Sequence, residues 1–448
     1  MASRIAIVGG GFSGTALAVQ LLQRRPECEV VLIERSGRFG QGLAYSTDCD
    51  AHVLNVRAER MSAVRDHPDH FTRWLADTGR AADPDRFVQR REYGRYVADW
   101  LAEAERDAPG RLTRVEAEVV NLGRDAGGWT LALADGTALG ADAVALALGN
   151  FAPLTPEVDG LGPKTPAYVA DPWAPGVLDG LAPDAEVLLV GAGLTMVDVL
   201  LKLERTGWRG HALAVSRHGL LPHSHDAHQI HVHAPPPPQA RLSAALRDFR
   251  RRAAERPWGE LMDELRPHVQ AMWTRLSEAE RGRFLRHLRP WWDVHRHRLA
   301  PEVAAHVEEL LADGRLEVAA GRLARVSTDD GRVSVEWRPR GERTFRRSAV
   351  DLVVNCTGPA FDLTRARDPL VRALLAGGLV RPDRLKTGFD VDLNGRPLDA
   401  AGRPTPGLYA VGPLTRAAFW EIVAVPDIRS QAATLADLMI EAPATAEG

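Results

Sequence analysis

The chain has very little cysteine. Its 448 residues include only Cys28, Cys49 and Cys356, too few and too scattered for a disulfide framework, a zinc site or a CxxC redox pair. That excludes a disulfide reductase working through paired thiols and points to the cytoplasm. Lysine is also scarce: of 56 basic residues only Lys164, Lys202 and Lys386 are lysine, a bias read as genomic composition before function. Neither sign of charge is in excess. The 59 acidic residues leave a formal net charge of -3, so no overall field draws nucleic acid or an anionic membrane. Long hydrophobic runs are missing too. The longest, Val187 to Leu203, is interrupted by Asp198 and Lys202, and no basic start with an apolar stretch precedes the first strand, so neither a membrane span nor export is expected. What remains, 45% hydrophobic and 26% charged residues, is an ordinary soluble globular composition with length for two or three domains.

The most informative stretch is IAIVGGGFSG at residues 5–14, an apolar strand running into a glycine turn and then into a helical TALAVQLLQRR. Gly9 permits the tight strand exit, Gly11 lets the backbone approach a pyrophosphate, and Gly14 lets the helix lie close on its strand. The helix N-terminus, at Phe12 and Ser13, then faces the phosphate. The next strand pattern, Glu29 to Ile33, ends in Glu34, twenty residues past Gly14, where an acid holds a ribose diol. Arg35 follows it. This spacing predicts a bound dinucleotide.

Helix patterns follow at Asp69 to Thr78 and Glu92 to Arg106, then strands around Val115 to Leu122 and Trp129 to Leu133, and a buried strand from Asp142 into Gly149. Six prolines between Pro153 and Pro175 mark a crossing. A second strand, glycine turn and helix opens at Glu186, with Gly191, Gly193 and Thr195, about 180 residues after the first. Its following strand, Ala212 to Val215, leads to Arg217, which suits a 2′-phosphate and so favours NADPH over NADH. From Pro235 to about Asp313 the pattern becomes amphipathic helix rich in Arg and Trp. Strands resume near Leu316 to Ala319 and Val333 to Trp337, and the chain returns through Asp351 to Gly358 and Gly407 to Gly412 into a long last helix. The expected fold class is α/β, two Rossmann-like dinucleotide-binding domains with a helical insertion. A first FAD-binding part spans 1–165, an NAD(P)H-binding domain 184–345 with the insertion at about 236–313, and a second FAD-binding part 346–448.

Several segments, GGGFSGTALAVQLL, FGQGLAYS at Phe39 to Ser46 with Gly42, HVLNVRAERMSAV at His52 to Val64, ALGNFAP, VGAGLTMVD, NCTGP and AVGPLTRAAFWEIVAVPDIRSQA, run from the first strand to the last helix. In these the chain resembles two-dinucleotide-fold flavoproteins, and within them the flavin-dependent N-monooxygenases of the L-aspartate, nitrosuccinate-forming kind. The resemblance implies FAD and NADPH as cofactors, with molecular oxygen and a small, carboxylate-bearing amine as co-substrates, and N-hydroxylation through a flavin C4a-hydroperoxide. Chemistry carried by the cofactor accounts for the lack of a Ser-His-Asp or paired-carboxylate set. Gly149, Gly358, Gly412 and Ile428 join the expected cofactor contacts, with the helix from Pro426 aimed at the electron-rich side of the flavin. Asn55 and Trp420 are the candidates beside the ring.

The chain departs from the wider monooxygenase pattern at three places. The third glycine of the second turn is Met196, the acid that often follows the last Val-Gly is Pro413, and Tyr168 to Trp173 stands where a histidine-bearing FxGxxxHxxxW stretch is usual. Arg289, His295, Arg296 and Arg298, interleaved with Trp291 and Trp292, are the candidate anchor for a carboxylate; pairing with nearby Asp and Glu is the plainer alternative. Six histidines between His218 and His233 lack a completing cysteine or carboxylate cluster, so they read as a solvated loop and no metal is expected. Two other functions fit these residues: a flavin oxidoreductase without oxygen insertion, and a non-catalytic flavin redox sensor.

Overall fold

The computed structural model describes residues 3–226, 241–329 and 332–441. The first strand, Ser3–Val8, lies inside a five-stranded parallel sheet whose order is Leu408–Ala410, Ala143–Leu146, Ser3–Val8, Cys28–Ile33, Leu112–Val115. Parallel strands are covered on both faces, and Ile5 to Val8 and Val30 to Ile33 are accordingly buried without alternation. The helix Phe12–Arg24 packs on one face, where Leu17, Leu21 and Leu22 join Tyr93 and Val97 of helix Arg90–Asp107 and Ile428 and Leu435 of the last helix, Val425–Glu441. The sheet reverses its winding between Ser3–Val8 and Ala143–Leu146, so the crevice beyond their carboxyl ends is the ligand position of a doubly wound sheet.

The second sheet has seven strands. Val187–Val190 pairs in parallel with Ala212–Ser216 and Leu352–Asn355; Tyr168–Val169 closes one edge, and a long hairpin from Leu316–Asp329 through Arg332–Pro339 to Arg346–Val350 closes the other. Arg346–Val350 and Leu352–Asn355, expected to open the second FAD part, therefore complete this sheet. The reason is burial: Leu352–Asn355 is covered on both faces, which suits an inner parallel strand. The single strand expected around Val115 to Leu122 is two. Leu112–Val115 extends the first sheet, while Val119–Asp125 turns away into an antiparallel meander with Gly128–Leu133 and Ala138–Ala141.

The helix-rich stretch holds Leu242–Ala253, Trp258–Leu265, Val269–Arg275, Glu278–Arg283 and Arg289–Arg296. The helix after these, Pro301–Ala312, is the crossover of the second sheet, because Val303, Ala304, Val307 and Leu310 share a core with Val187, Leu189 and Leu316. The preceding helices dock instead on the C-terminal segment through a cluster of Val269, Trp273, Phe284 and Trp420. Pro235 to Pro238 and His228, His231 and His233 lie outside the described residues. Among the described residues no helix is long and apolar enough to cross a membrane.

Candidate functional site

The first glycine turn is shaped by close backbone approach. Gly9 has φ +106°, and a Cβ there would overlap the carbonyl oxygen of Ala147; a Cβ on Gly14 would overlap the carbonyl oxygen of Gly9. Gly11 caps the helix Phe12–Arg24 in extended conformation without any side-chain hydrogen bond, so the first amides, at Phe12, Ser13 and Gly14, have no side-chain cap. Uncapped amides at a helix N-terminus fit a pyrophosphate. Glu34 reaches this turn: its Oε2 accepts from Gly10 N at 2.8 Å and its Oε1 from Ser36 N at 3.0 Å and Ser36 Oγ at 2.8 Å. Arg35 is turned to the surface, 3.6 Å from both Glu118 and Asp368.

Three further segments close around the turn. Gly42, at φ +54°, would bring a Cβ within 3.0 Å of Gly11 Cα, and a Cβ on Gly412, at φ +80°, would overlap Ser13 Oγ. Gly149 and Gly358 both have positive φ and open space around them. Gly412 N donates to Gln431 Oε1 at 2.8 Å, and Gln431 Nε2 donates to Thr415 Oγ1 at 2.8 Å. Gln431, three residues past Ile428 on the last helix, thus holds this loop beside Pro413. Its role was invisible in sequence because the partner lies nineteen residues away across a loop.

The second turn repeats the design. Gly191 has φ +123° and would overlap the Cys356 carbonyl if it carried a Cβ, while Gly193 caps helix Leu194–Arg205 in extended conformation with no side-chain cap, Thr195 lying in its first turn. Met196, at 0% exposure, fills the space between helix and sheet in the same core as Val187 and Leu189. Arg217 is exposed at the end of Ala212–Ser216. His218 Nδ1 is 3.2 Å from an Arg340 guanidinium nitrogen, and its pKa is lowered by desolvation and by Arg340, Arg217 and Arg322. Arg322 and Arg340 come from the distant hairpin, which is why only Arg217 was legible.

A bidentate pair joins the two units. Arg90 donates to both oxygens of Asp198 at 2.9 and 3.0 Å, and His52 Nε2 contacts the Asp198 carbonyl at 2.9 Å. Between the units and the helical stretch lies a small polar cavity lined by Asn55, His225, Arg57 and Arg298. It shares Arg60, Asp263, Arg266 and Arg296 with a larger cavity of about 600 Å³ that runs along the last helix past Glu421 and Asp427. The structure therefore brings Asn55, Arg296 and Arg298 together. Arg289 sits apart, pairing with Asp293 at 3.3 Å, and His295 packs edge-on to Trp258 and 4.6 Å from His223. Trp420 is 2% exposed, stacked 4.7 Å from Trp273 with the Arg416 guanidinium 4.1 Å from its ring. Arg60, Asp263 and Arg266 carried no local signal, since no motif marks a side chain that meets its neighbours only after folding.

The charges in these cavities are largely paired. Glu421 is buried at φ +70°, unusual for a residue with a side chain. It pairs with Arg296 at 3.0 Å, stands 3.7 Å from His297, and accepts from Trp292 Nε1 at 2.8 Å. Burial opposes its ionisation, yet Arg296 and His297 hold its carboxyl below the ordinary range. Arg298, 4% exposed, donates to Asp263 at 2.5 Å. Burial depresses Arg266 to about 10 and, assisted by Arg298, depresses His225 to about 4.

The His225 shift has a measurable consequence. A histidine near 6.5 when unfolded and about 4 when folded binds more protons unfolded across that window. The stability it contributes is whole above pH 6.5 and falls as the pH drops toward 4, by an amount on the order of 3 kcal/mol. Chemical denaturation of wild type and His225→Asn at a series of pH values is expected to show the wild type losing stability faster on acidification. Parallel curves would refute this.

Residues 6–151 match a family model described as FAD-NAD(P)-binding. Comparison with curated proteins gives no match. Among solved structures, an ornithine N-hydroxylase from Kutzneria sp. 744, described with reduced FAD, NADP+ and L-ornithine, is 15% identical at a TM-score of 0.66, covering 97% of this chain and 98% of that one. An ornithine hydroxylase from Pseudomonas aeruginosa is 15% identical at 0.67, over 98% and 99%. An L-lysine 6-monooxygenase from Pseudomonas syringae is 17% identical at 0.65, over 98% and 99%. The chain thus shares the α/β fold of these hydroxylases and monooxygenases, with an FAD/NAD(P)-binding domain over residues 6–151.

Proposed function

We propose that the protein is an FAD-dependent monooxygenase that uses NADPH and molecular oxygen to N-hydroxylate a small carboxylate-bearing amine. The observation that carries this reading is the combination, in one chain, of two glycine turns whose helix amides have no side-chain cap and an arginine-lined cavity beside the last helix. The balance is R–NH2 + NADPH + H+ + O2 giving R–NHOH + NADP+ + H2O. Bound FAD would supply the relay of electrons from NADPH to oxygen.

The chain's own residues bind and orient. Phe12, Ser13 and Gly14 would present amides to the FAD pyrophosphate and Glu34 would take the ribose diol, while the helix from Val425, with Ile428 in its first turn, offers its positive end to an electron-rich ring. Asn55 would line the ring from the polar cavity. Arg296 and Arg298 would face a substrate carboxylate, while Arg289 and His295 lie outside the two cavities. Trp420 would hold the helical stretch against the C-terminal segment, excluding water.

The test is to mix purified protein with NADPH and oxygen over a panel of L-aspartate, L-ornithine, L-lysine and putrescine, measuring NADPH loss, peroxide and hydroxylamine. One amine is expected to raise NADPH consumption, lower peroxide and yield hydroxylamine. NADPH oxidation that no amine couples would favour a plain oxidoreductase, and an absence of NADPH-driven flavin bleaching would favour a sensor. Arg217, with Arg322 and Arg340, would hold the 2′-phosphate. Loss of such a charge-assisted contact gives an expected rise in NADPH KM of about 10- to 100-fold for Arg217→Ala, with NADH unaffected in initial-rate assays.

A further inference from the structure

We propose that Asp427 takes the proton from the substrate's ammonium group, an inference that rests on the N-hydroxylation reading above. An amine attacks through its nitrogen lone pair, yet aliphatic amines are mostly cations at neutral pH. A cavity that oxidises them therefore needs an acceptor for one proton.

Three carboxylates line the larger cavity, and two are occupied. Glu421 is held by Arg296 and by Trp292 Nε1. Asp263 accepts from Arg298 at 2.5 Å. Asp427 differs in its charge partner: Glu421 Oε2 and Asp427 Oδ2 are both buried without a hydrogen bond, but Glu421 Oε2 has Arg296 at 3.0 Å, whereas Arg266 stands 3.9 Å from Asp427 Oδ2. Asp427 lines the larger cavity with a side chain that is 27% exposed, so a carboxylate short of donors is placed to receive an N–H donor there.

The surrounding groups set its proton affinity. Arg266 and Arg296 face it from the helical stretch, Glu421 from the preceding loop and Arg429 from its own helix, with Arg60 and Asp263 on the same cavity wall. Burial raises the Asp427 carboxyl above the ordinary aspartate range, Glu421 adds to the rise, and the three arginines Arg266, Arg296 and Arg429 oppose it. The raised affinity suits a base that must hold a proton briefly. The same wall supplies Arg60, Arg266 and Arg296 for a carboxylate, so an amino acid finds a partner for each of its charges.

In the transfer one N–H bond of R–NH3+ breaks, its electron pair stays on nitrogen, and an O–H bond forms on the Asp427 carboxylate. The proton then passes to the water formed from oxygen. It is the proton that the overall reaction consumes, so R–NH3+ + NADPH + O2 gives R–NHOH + NADP+ + H2O with no added reagent.

The test uses FAD-loaded wild type, Asp427→Asn and Asp427→Glu with whichever amine of the panel couples best, and reads hydroxylamine kcat/KM between about pH 7 and pH 9.5. Wild type is expected to vary little over this range. Asp427→Asn is expected to be down about 100-fold near neutrality and to recover about tenfold per pH unit as the free amine deprotonates, with Asp427→Glu restoring most of the neutral-pH rate. A merely structural role would lower the rate equally at every pH. An Asp427→Asn profile parallel to wild type overturns the proposal for Asp427 alone. Should Asp427→Asn fail to hold FAD, a pH-dependent loss in Asp427→Glu overturns it instead, and a level profile supports it. Wild type that yields peroxide but no hydroxylamine with any amine overturns the N-hydroxylation reading, and this step with it.

Discussion

Gly14→Ala is expected to purify almost colourless. The added Cβ would overlap the carbonyl oxygen of Gly9 and come within 3.2 Å of Ile7 Cγ2, and neither can yield cheaply. Gly9 is fixed by its own backbone approach to Ala147, and Ile7 is fully buried in the sheet. The helix Phe12–Arg24 must then lift from its strand, which costs a packed core about 1–3 kcal/mol. It also carries the amides of Phe12, Ser13 and Gly14 away from the position in which they would meet a pyrophosphate. Losing two oriented amide contacts to a charged group, each worth about 1.5–3 kcal/mol, lowers FAD affinity by at least about 100-fold. The flavin-to-protein absorbance ratio after purification, followed by reconstitution with excess FAD, measures this directly. Gly193→Ala is the control, because a Cβ there meets open space and its φ is negative. It is expected to stay yellow and to change only the response to NADPH. A yellow Gly14→Ala protein with wild-type affinity would remove the first turn from the flavin site.

What could be read from the sequence follows from how local each signal is. Both glycine turns were legible because strand, turn and helix are contiguous, and the close contacts at Gly9, Gly14 and Gly191 demand a residue type the sequence displays. Met196 was legible as a departure but not as a solution: only the folded core shows that its side chain fills the gap between helix and sheet beside Val187 and Leu189. The return from the second sheet was placed too early, since Leu352–Asn355 is an apolar run that suits the centre of either sheet, and its partner is set by packing. The cluster from Arg289 to Arg298 shows the limit most clearly. Helical periodicity puts Arg289 and Arg296, seven residues apart, on the same face of one helix, so only the folded neighbours show that Arg296 and not Arg289 meets the cavity, which Arg60 and Arg266 reach from unrelated segments. Trp420, expected beside a flavin, is stacked between Trp273 and Arg416, an environment made by the helical stretch and not encoded near residue 420.

Arg296→Ala is expected to weaken both folding and substrate binding, and the two effects can be separated. Glu421 is nearly inaccessible, with a side-chain exposure of 3%, and Arg296 at 3.0 Å is its nearest cation. Removing one partner of a buried pair leaves the other charge uncompensated and costs about 3–5 kcal/mol. The cost is sharpened because Glu421 is held at φ +70°, a backbone conformation that cannot relax without disturbing the start of the last helix. His297 and Arg416 stand near enough to lower the Glu421 carboxyl pKa, so part of the charge is still balanced and the lower end of that range is expected. Glu421→Gln removes the buried charge while keeping the shape and the acceptor for Trp292 Nε1. The double variant Arg296→Ala with Glu421→Gln is therefore expected to regain most of the lost stability in denaturant melts. Its KM for a carboxylate-bearing amine is expected to stay raised by about 30- to 100-fold, because the guanidinium that would meet the carboxylate is still missing. Recovery of KM together with stability would mean that Arg296 serves Glu421 and the fold, and that the carboxylate is held by Arg60, Arg266 or Arg298 instead.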